Sequence, residues 1–335
     1  MRKSWRRSFP EEILPPYSVS EEQLDAMVEK TKALEAYQEA GEDPKALECI
    51  PMLKRSDIKR EAAKIINEEL TVDDSLFLYH DVCTNGIGYV DLMFKTDSIA
   101  PEQIPYLGLL KSVLGYVDTE NYTYGELFNE INANTGGINC GVEVFDRADS
   151  TEEFQAMFSV RGKALYTKMD FLFKMIGEIL NSSKLEDTKR LYEIVASVKS
   201  RAQVNLTGAG HSTAVLRAAA YSSPMAAFQD EMAGIGYYQF IEKLEKDFEQ
   251  RKEETVEELC KLMKKILRPE NFMISYTGER ESLETVQKLA GAVKAGLGTE
   301  PVEKSKEKLT CTKKNEGFKT SGQVQYVAQT GNFKK

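Results

Sequence analysis

At 335 residues the chain is long enough for about two domains of ordinary size. Its 44 Lys and Arg against 53 Asp and Glu leave a net charge of −9, which argues against a general nucleic-acid binder and against a protein of anionic membranes, because both rely on an excess of cations. With 41% hydrophobic and 29% charged residues the sequence reads as a soluble, folded chain.

The opening Met1-Arg2-Lys3-Ser4-Trp5-Arg6-Arg7 is basic, but Ser8-Phe9-Pro10-Glu11-Glu12 follows in place of an apolar segment, so a mature, cytoplasmic-type start is expected. Ser20 begins a Ser-Glu-Glu-Gln capping box, and Leu24, Met27, Val28, Thr31, Leu34 and Gln38 recur at helical spacing. Gly41 and Asp43-Pro44 predict its end. After the connector Ile50-Pro51-Met52-Leu53, Ser56 or Asp57 is the expected cap of a second helix reaching about Glu69. Such a hairpin has one narrow apolar stripe and needs another surface to bury it.

From Ser75 the period drops to two: Leu76, Leu78, His80 and Val82 alternate with Phe77, Tyr79, Asp81 and Cys83. Asn85-Gly86 predicts a tight turn into residues 88–95 as the hairpin partner. Helices are predicted from Pro101 to about Tyr116 and from Thr123 to about Asn134, ended by Gly136-Gly137. Strands are expected over 138–145 and 154–160. Long helical patterns occupy 164–181 and 185–206, with more between His211 and Leu267, then a strand over 271–276 and a helix over 282–297. Hairpin strands mixed with helix pairs predict an α+β fold, a mostly antiparallel sheet packed with helices. The lysine-rich stretch 298–317 reads as a solvated linker, and Gln323-Val324-Gln325-Tyr326-Val327-Ala328 as one further strand without a partner.

The chemistry-bearing residues are sparse. Protein zinc sites draw mainly on His and Cys, and here the two histidines, His80 and His211, lie far apart. The five cysteines, at 49, 83, 140, 260 and 311, are odd in number and form no Cys-x-x-Cys pair, which fits reduced thiols in a reducing compartment. On a strand His80 and Cys83 would point to opposite faces. Thr207-Gly208-Ala209-Gly210-His211-Ser212-Thr213 could cradle a phosphate, but lacks a following Gly-Lys-Ser/Thr and reads better as one helix ending and another beginning. A Gly-x-Ser-x-Gly elbow is absent. No stretch approaches the ~18 apolar residues of a membrane span. Catalytic, cofactor and metal residues are therefore expected to be none.

The order of segments resembles a known family. Thr31-Lys32-Ala33-Leu34 through Gln38, Ile50-Pro51-Met52-Leu53 and Ser56-Asp57-Ile58 resemble the central helical linker of presequence-protease-type zinc metallopeptidases of the pitrilysin/insulinase group. Asn85-Gly86-Ile87-Gly88-Tyr89-Val90-Asp91-Leu92 is similar to the opening of that family's third homologous domain. Gly125-Glu126-Leu127-Phe128 to Thr135-Gly136-Gly137, and Gly210-His211 to Gly234-Ile235-Gly236-Tyr237, also match it. Residues 321–328 are similar to the first strand of its fourth domain. The resemblance implies a helical hairpin linker over 1–70, a non-catalytic metallopeptidase-like domain over 71–300, and over 301–335 a linker with the first strand of a truncated following domain.

In that family four related α+β domains close around a peptide-sized chamber, and zinc is held by an inverted His-x-x-Glu-His helix of the first domain plus a distant Glu. The middle Glu activates a metal-bound water. Counting back from Gly125, the matching helix here reads Gly108-Leu109-Leu110-Lys111-Ser112, without ligand or base. The family's fourth domain also supplies an Arg and a Tyr toward the substrate, from a segment that this sequence is expected to lack. The resemblance thus implies a segment forming hinge and chamber wall, no cofactor of its own (zinc belonging to the parent's N-terminal domain), and as partners an N-terminal catalytic half and unfolded peptides, with neither nucleic acid nor membrane. A peptide-binding scaffold without proteolysis is the alternative.

Overall fold

The computed structural model describes residues 20–41, 44–62, 64–305, 307, 309–320 and 323–331. The basic start, Asp43, Ser321 and Gly322 lie outside them. Contacts divide the chain into two compact units, residues 1–64 and 65–335.

In the first unit, helix α1 (Glu21–Glu39) begins where the capping box predicts: Gln23 N donates to Ser20 Oγ at 3.2 Å and Ser20 N to Gln23 Oε1 at 3.0 Å. The helix buries none of its residues, and Met27, Leu34 and Tyr37 are exposed. A helical turn at Pro44–Leu47 and a short 3-10 turn at Arg55–Asp57 follow. The second helix expected to reach Glu69 does not form. Glu68–Val72 is instead strand β1 of the second unit, joined to β2 (Ser75–Asp81) by Asp73 and Asp74, both at positive φ. Short Asp side chains tolerate that conformation, which supplies the two-residue hairpin.

The second unit is built on a six-stranded sheet in the order β1-β2-β6-β3-β5-β4, with β3 at Ile87–Lys95, β4 at Ile138–Asp146, β5 at Phe154–Leu165 and β6 at Phe272–Gly278. Asn85 (φ 54°) and Gly86 (φ 81°) make the predicted turn, yet β2 and β3 do not pair across it. Strand β6 lies between them, parallel to β2 and antiparallel to β3. Its Ile274 and Tyr276 are fully buried and extend the apolar row Phe77, Tyr79, Val90, Leu92 and Phe94, so burial outweighs the local pairing. The Tyr79 and Tyr276 rings stack at 6.1 Å.

One face of the sheet carries the core. Even-numbered residues of β3 and β5 point into it with helices α2 (Ile104–Val113), α3 (Tyr124–Asn134), α4 (Met169–Ser182), α5 (Thr188–Gly208), α7 (Pro224–Ala233), α8 (Ile235–Lys246), α9 (Phe248–Ile266) and α10 (Leu283–Ala295). Helix α3 starts on the expected cap, Thr123, whose backbone N donates to Glu126 Oε2 at 2.9 Å. Helix α6 (Gly210–Ala219) buries none of its residues.

The stretch 298–317 is not a free linker. Arg268 Nη1 donates to the Glu300 carbonyl at 2.6 Å, Ser305 N to the Ser98 carbonyl at 3.2 Å, and Glu316 pairs with Arg217 at 2.9 Å. The expected strand over 323–328 forms no ladder; Tyr326 instead lies against Gly210 and the His211 ring.

Candidate functional site

The helix on which a metal motif would fall is α2, and its sequence builds packing rather than ligation. Gly108, Leu109 and Leu110 are buried. A side chain at Gly108 would meet the Met232 carbonyl at 2.5 Å and the Tyr237 ring at 2.7 Å, so glycine is what allows α7 and α8 to approach this closely. Lys111 is held below the ordinary lysine range by burial, which disfavours its charge, with Glu143 pulling the other way. Ser112 Oγ donates to the Gly108 carbonyl at 3.4 Å. This helical turn offers neither a carboxylate nor an imidazole.

The other sequence candidates are dispersed. His80 Nδ1 lies 2.7 Å from the Ile66 carbonyl, and His211 rests beside Tyr326 on α6. The cysteines at 49, 83, 140, 260 and 311 are all free thiols, and burial pushes that of Cys140 up to about 12. Among the described residues no group of three His, Cys, Asp or Glu is arranged to hold a metal ion. The 207–213 loop is the junction of α5 and α6: α5 ends at Gly208 and α6 starts at Gly210, as helix termination predicts.

Opposite the core, the sheet presents the odd-numbered residues of β3, β5 and β4. Arg161 Nε donates to Asp91 Oδ2 at 2.7 Å and its Nη1 lies 3.1 Å from Glu143 Oε1, so one guanidinium bridges three strands. Burial pushes the Asp91 carboxyl up and Arg161 pulls it back. Asp91 Oδ1 and Ser159 Oγ are buried there without hydrogen bonds. Exposed Tyr89 and half-buried His80 extend this polar face toward β2. Sequence reasoning did not single out the Asp91–Arg161–Glu143 trio; its signal was a charge at alternate positions of strands otherwise apolar.

The sequence profile of the family described as associated with peptidase M16, subfamily C, matches residues 17–244. The chain belongs to that family. This peptidase-associated chain is 35% identical over 317 residues to protein HypA of Clostridium perfringens, covering 95% of the chain and 32% of HypA. It is 27% identical over 320 residues to presequence protease 1, chloroplastic/mitochondrial, of Arabidopsis thaliana, covering 94% of the chain and 29% of that protein. It thus spans about a third of the length of the curated relatives it matches. A protease from Helicobacter pylori of known structure shares the fold, with TM-score 0.50 and 14% identity over 73% of this chain and 54% of that one. The peptidase-associated chain is therefore a presequence-protease-like member of the M16 peptidases with an α+β fold. Among its described residues no helix is long and apolar enough to cross a membrane.

Proposed function

We propose that this chain is a non-catalytic segment of a presequence-protease-like zinc metallopeptidase, serving as hinge and chamber wall. The observation that carries the reading is the family match combined with α2: at Gly108–Ser112 the helix supplies buried packing and a cation, and a lysine repels a dication where a ligand would be needed. Zinc and the water-activating carboxylate would then belong to a separate N-terminal catalytic half, the partner of this chain. The polar face with its Asp91–Arg161–Glu143 trio is suited to line an aqueous chamber for unfolded peptides, and the segment preceding β1 is the hinge. The dispersed thiols favour a cytoplasmic setting.

A labelled unstructured peptide incubated with the purified chain and zinc should remain intact; cleavage abolished by a chelator refutes the assignment. Co-elution with an N-terminal half bearing the His-x-x-Glu-His motif in size exclusion is the positive expectation. The net charge of −9 also supports peptide capture without cleavage, for which salt-sensitive binding of a cationic peptide by the chain alone would be the mark.

A further inference from the structure

Two adjoining clefts meet at the C-terminal end of α2. One, of about 320 Å³, lies between α2, α3 and the free edge of β4 and includes Lys111, Asn132 and Asn139. The other, of about 390 Å³, lies between α2, α5, α6 and the α7–α8 junction and includes Asn205, Thr213 and Tyr237. Ser112 and Arg201 line both.

Tyr237 is 5% exposed, and its hydroxyl is buried with no hydrogen-bond partner. Leaving such a donor unpaired costs about 1–3 kcal/mol, so an orphan hydroxyl on a cleft wall marks a place where a ligand acceptor fits. Gly108 explains how the ring gets there: with no side chain at 108 it lies flush on α2, beside Ser112 one turn further on. Burial pushes the Tyr237 phenol up, whereas Ser112 and the Arg201 guanidinium act in the opposite sense, which places both groups near the hydroxyl. At neutral pH that phenol is therefore a donor. Arg201 makes no ion pair and no side-chain hydrogen bond among the described residues. Asp230, packed against Gly234 of the same cleft, is already engaged by Arg217 and by the backbone N–H groups of Ile235 and Gly236, so it leaves Arg201 free. The remaining wall is apolar, from Val198, Leu206 and Leu216.

We infer that this cleft binds the free C-terminal carboxylate of a short peptide ending in an apolar residue. The carboxylate takes the Arg201 fork and the Tyr237 hydroxyl, both charge-assisted donors, while the terminal side chain lies on Val198, Leu206 and Leu216. An oxyanion satisfies a guanidinium and a phenol together, where a neutral group would leave the cation unpaired. The site deepens the proposed role, giving a chamber-wall segment a place to hold peptide products, but its binding test does not depend on proteolysis by any partner.

The full chain is titrated with N-acetyl-leucine, N-acetyl-leucinamide and inorganic phosphate, followed by thermal shift and by NMR of labelled tyrosine. The acid should raise the melting temperature and move the Tyr237 signal, and the amide should do neither. Tyr237→Phe removes only an unpaired hydroxyl, so the free protein should be no less stable, yet binding of the acid should weaken about tenfold or more. Arg201→Gln, at an exposed helix position, should do the same. Equal binding of acid and amide, phosphate binding as tightly as the acid, or acid binding unchanged in both variants would each overturn the assignment. Failure of the proteolysis test above, by contrast, would leave these outcomes as they stand.

Discussion

The two faces of the central sheet are made by neighbouring residues of the same strands, yet they behave as different materials. Along β5, Ala156, Phe158, Val160 and Ala164 enter the apolar cluster under the helices. The alternate residues of that strand include Arg161 and Lys163, which are exposed. Period-two patterning gives each face its chemistry, and what packs against a face then decides what it contributes. The covered face carries stability, and the polar face is free to carry specificity.

The largest expected effect lies on the covered face. Phe158 is fully buried, and Phe158→Ala should lower unfolding stability by about 3–5 kcal/mol, read as a drop in the urea midpoint with an unchanged slope. Overfilling should cost less. A methyl at Gly162 would stand 2.6 Å from Leu172 Cδ1, the flexible end of a side chain, so Gly162→Ala should cost about 1–3 kcal/mol on the same assay.

On the polar face the effect should be smaller and dependent on pH. Arg161→Gln leaves Asp91 buried without its cation; half-exposed Arg161 is screened by solvent, so about 1 kcal/mol is expected near neutral pH. The sign follows from the raised Asp91 carboxyl: the native state holds its proton to higher pH than the unfolded chain, so this residue's contribution falls as pH rises through the raised value. Removing Arg161 raises it further, and the deficit should disappear in urea titrations run below the ordinary aspartate range. A loss as large as that for Phe158→Ala, or one independent of pH, would mean that the two faces are energetically alike. Smallest of all, Tyr89→Ser at an exposed position should change stability by under about 0.5 kcal/mol.

Much of the fold was legible because its signals are local. Ser20 and Thr123 each announced a helix start that the structure reproduces, and Asn85-Gly86 announced a turn whose positive φ angles are present. The partner across that turn was not legible: β6 lies about 190 residues further along the chain, and no turn chemistry at 85–86 can say that Ile274 and Tyr276 will displace β2 from β3. Strand β1 was hidden in an expected helix, although Leu70 and Val72 alternate with Glu69 and Thr71 and an Asp-Asp turn follows. Conversely, the alternation at 323–328 predicted a strand that has no ladder to join, and Tyr326 found a helix N-terminal turn instead. The candidate site divides in the same way. The lack of ligands at Gly108–Ser112 can be read from five letters, whereas the cleft joining Ser112, Arg201 and Tyr237 depends on three helices meeting.

By itself the sequence determined which segments are helices and strands, where most of them begin, which face of each strand is apolar, and that α2 carries lysine and serine in place of metal ligands. Those properties follow from backbone geometry, capping and side-chain chemistry within a few residues. Only the tertiary structure decided the order of strands, the docking of residues 298–317 through Arg268 and Arg217, and the burial of an unpaired Tyr237 hydroxyl beside Arg201. Each of these is set by the gain from burying apolar surface between segments remote in sequence, a term that depends on the whole fold at once.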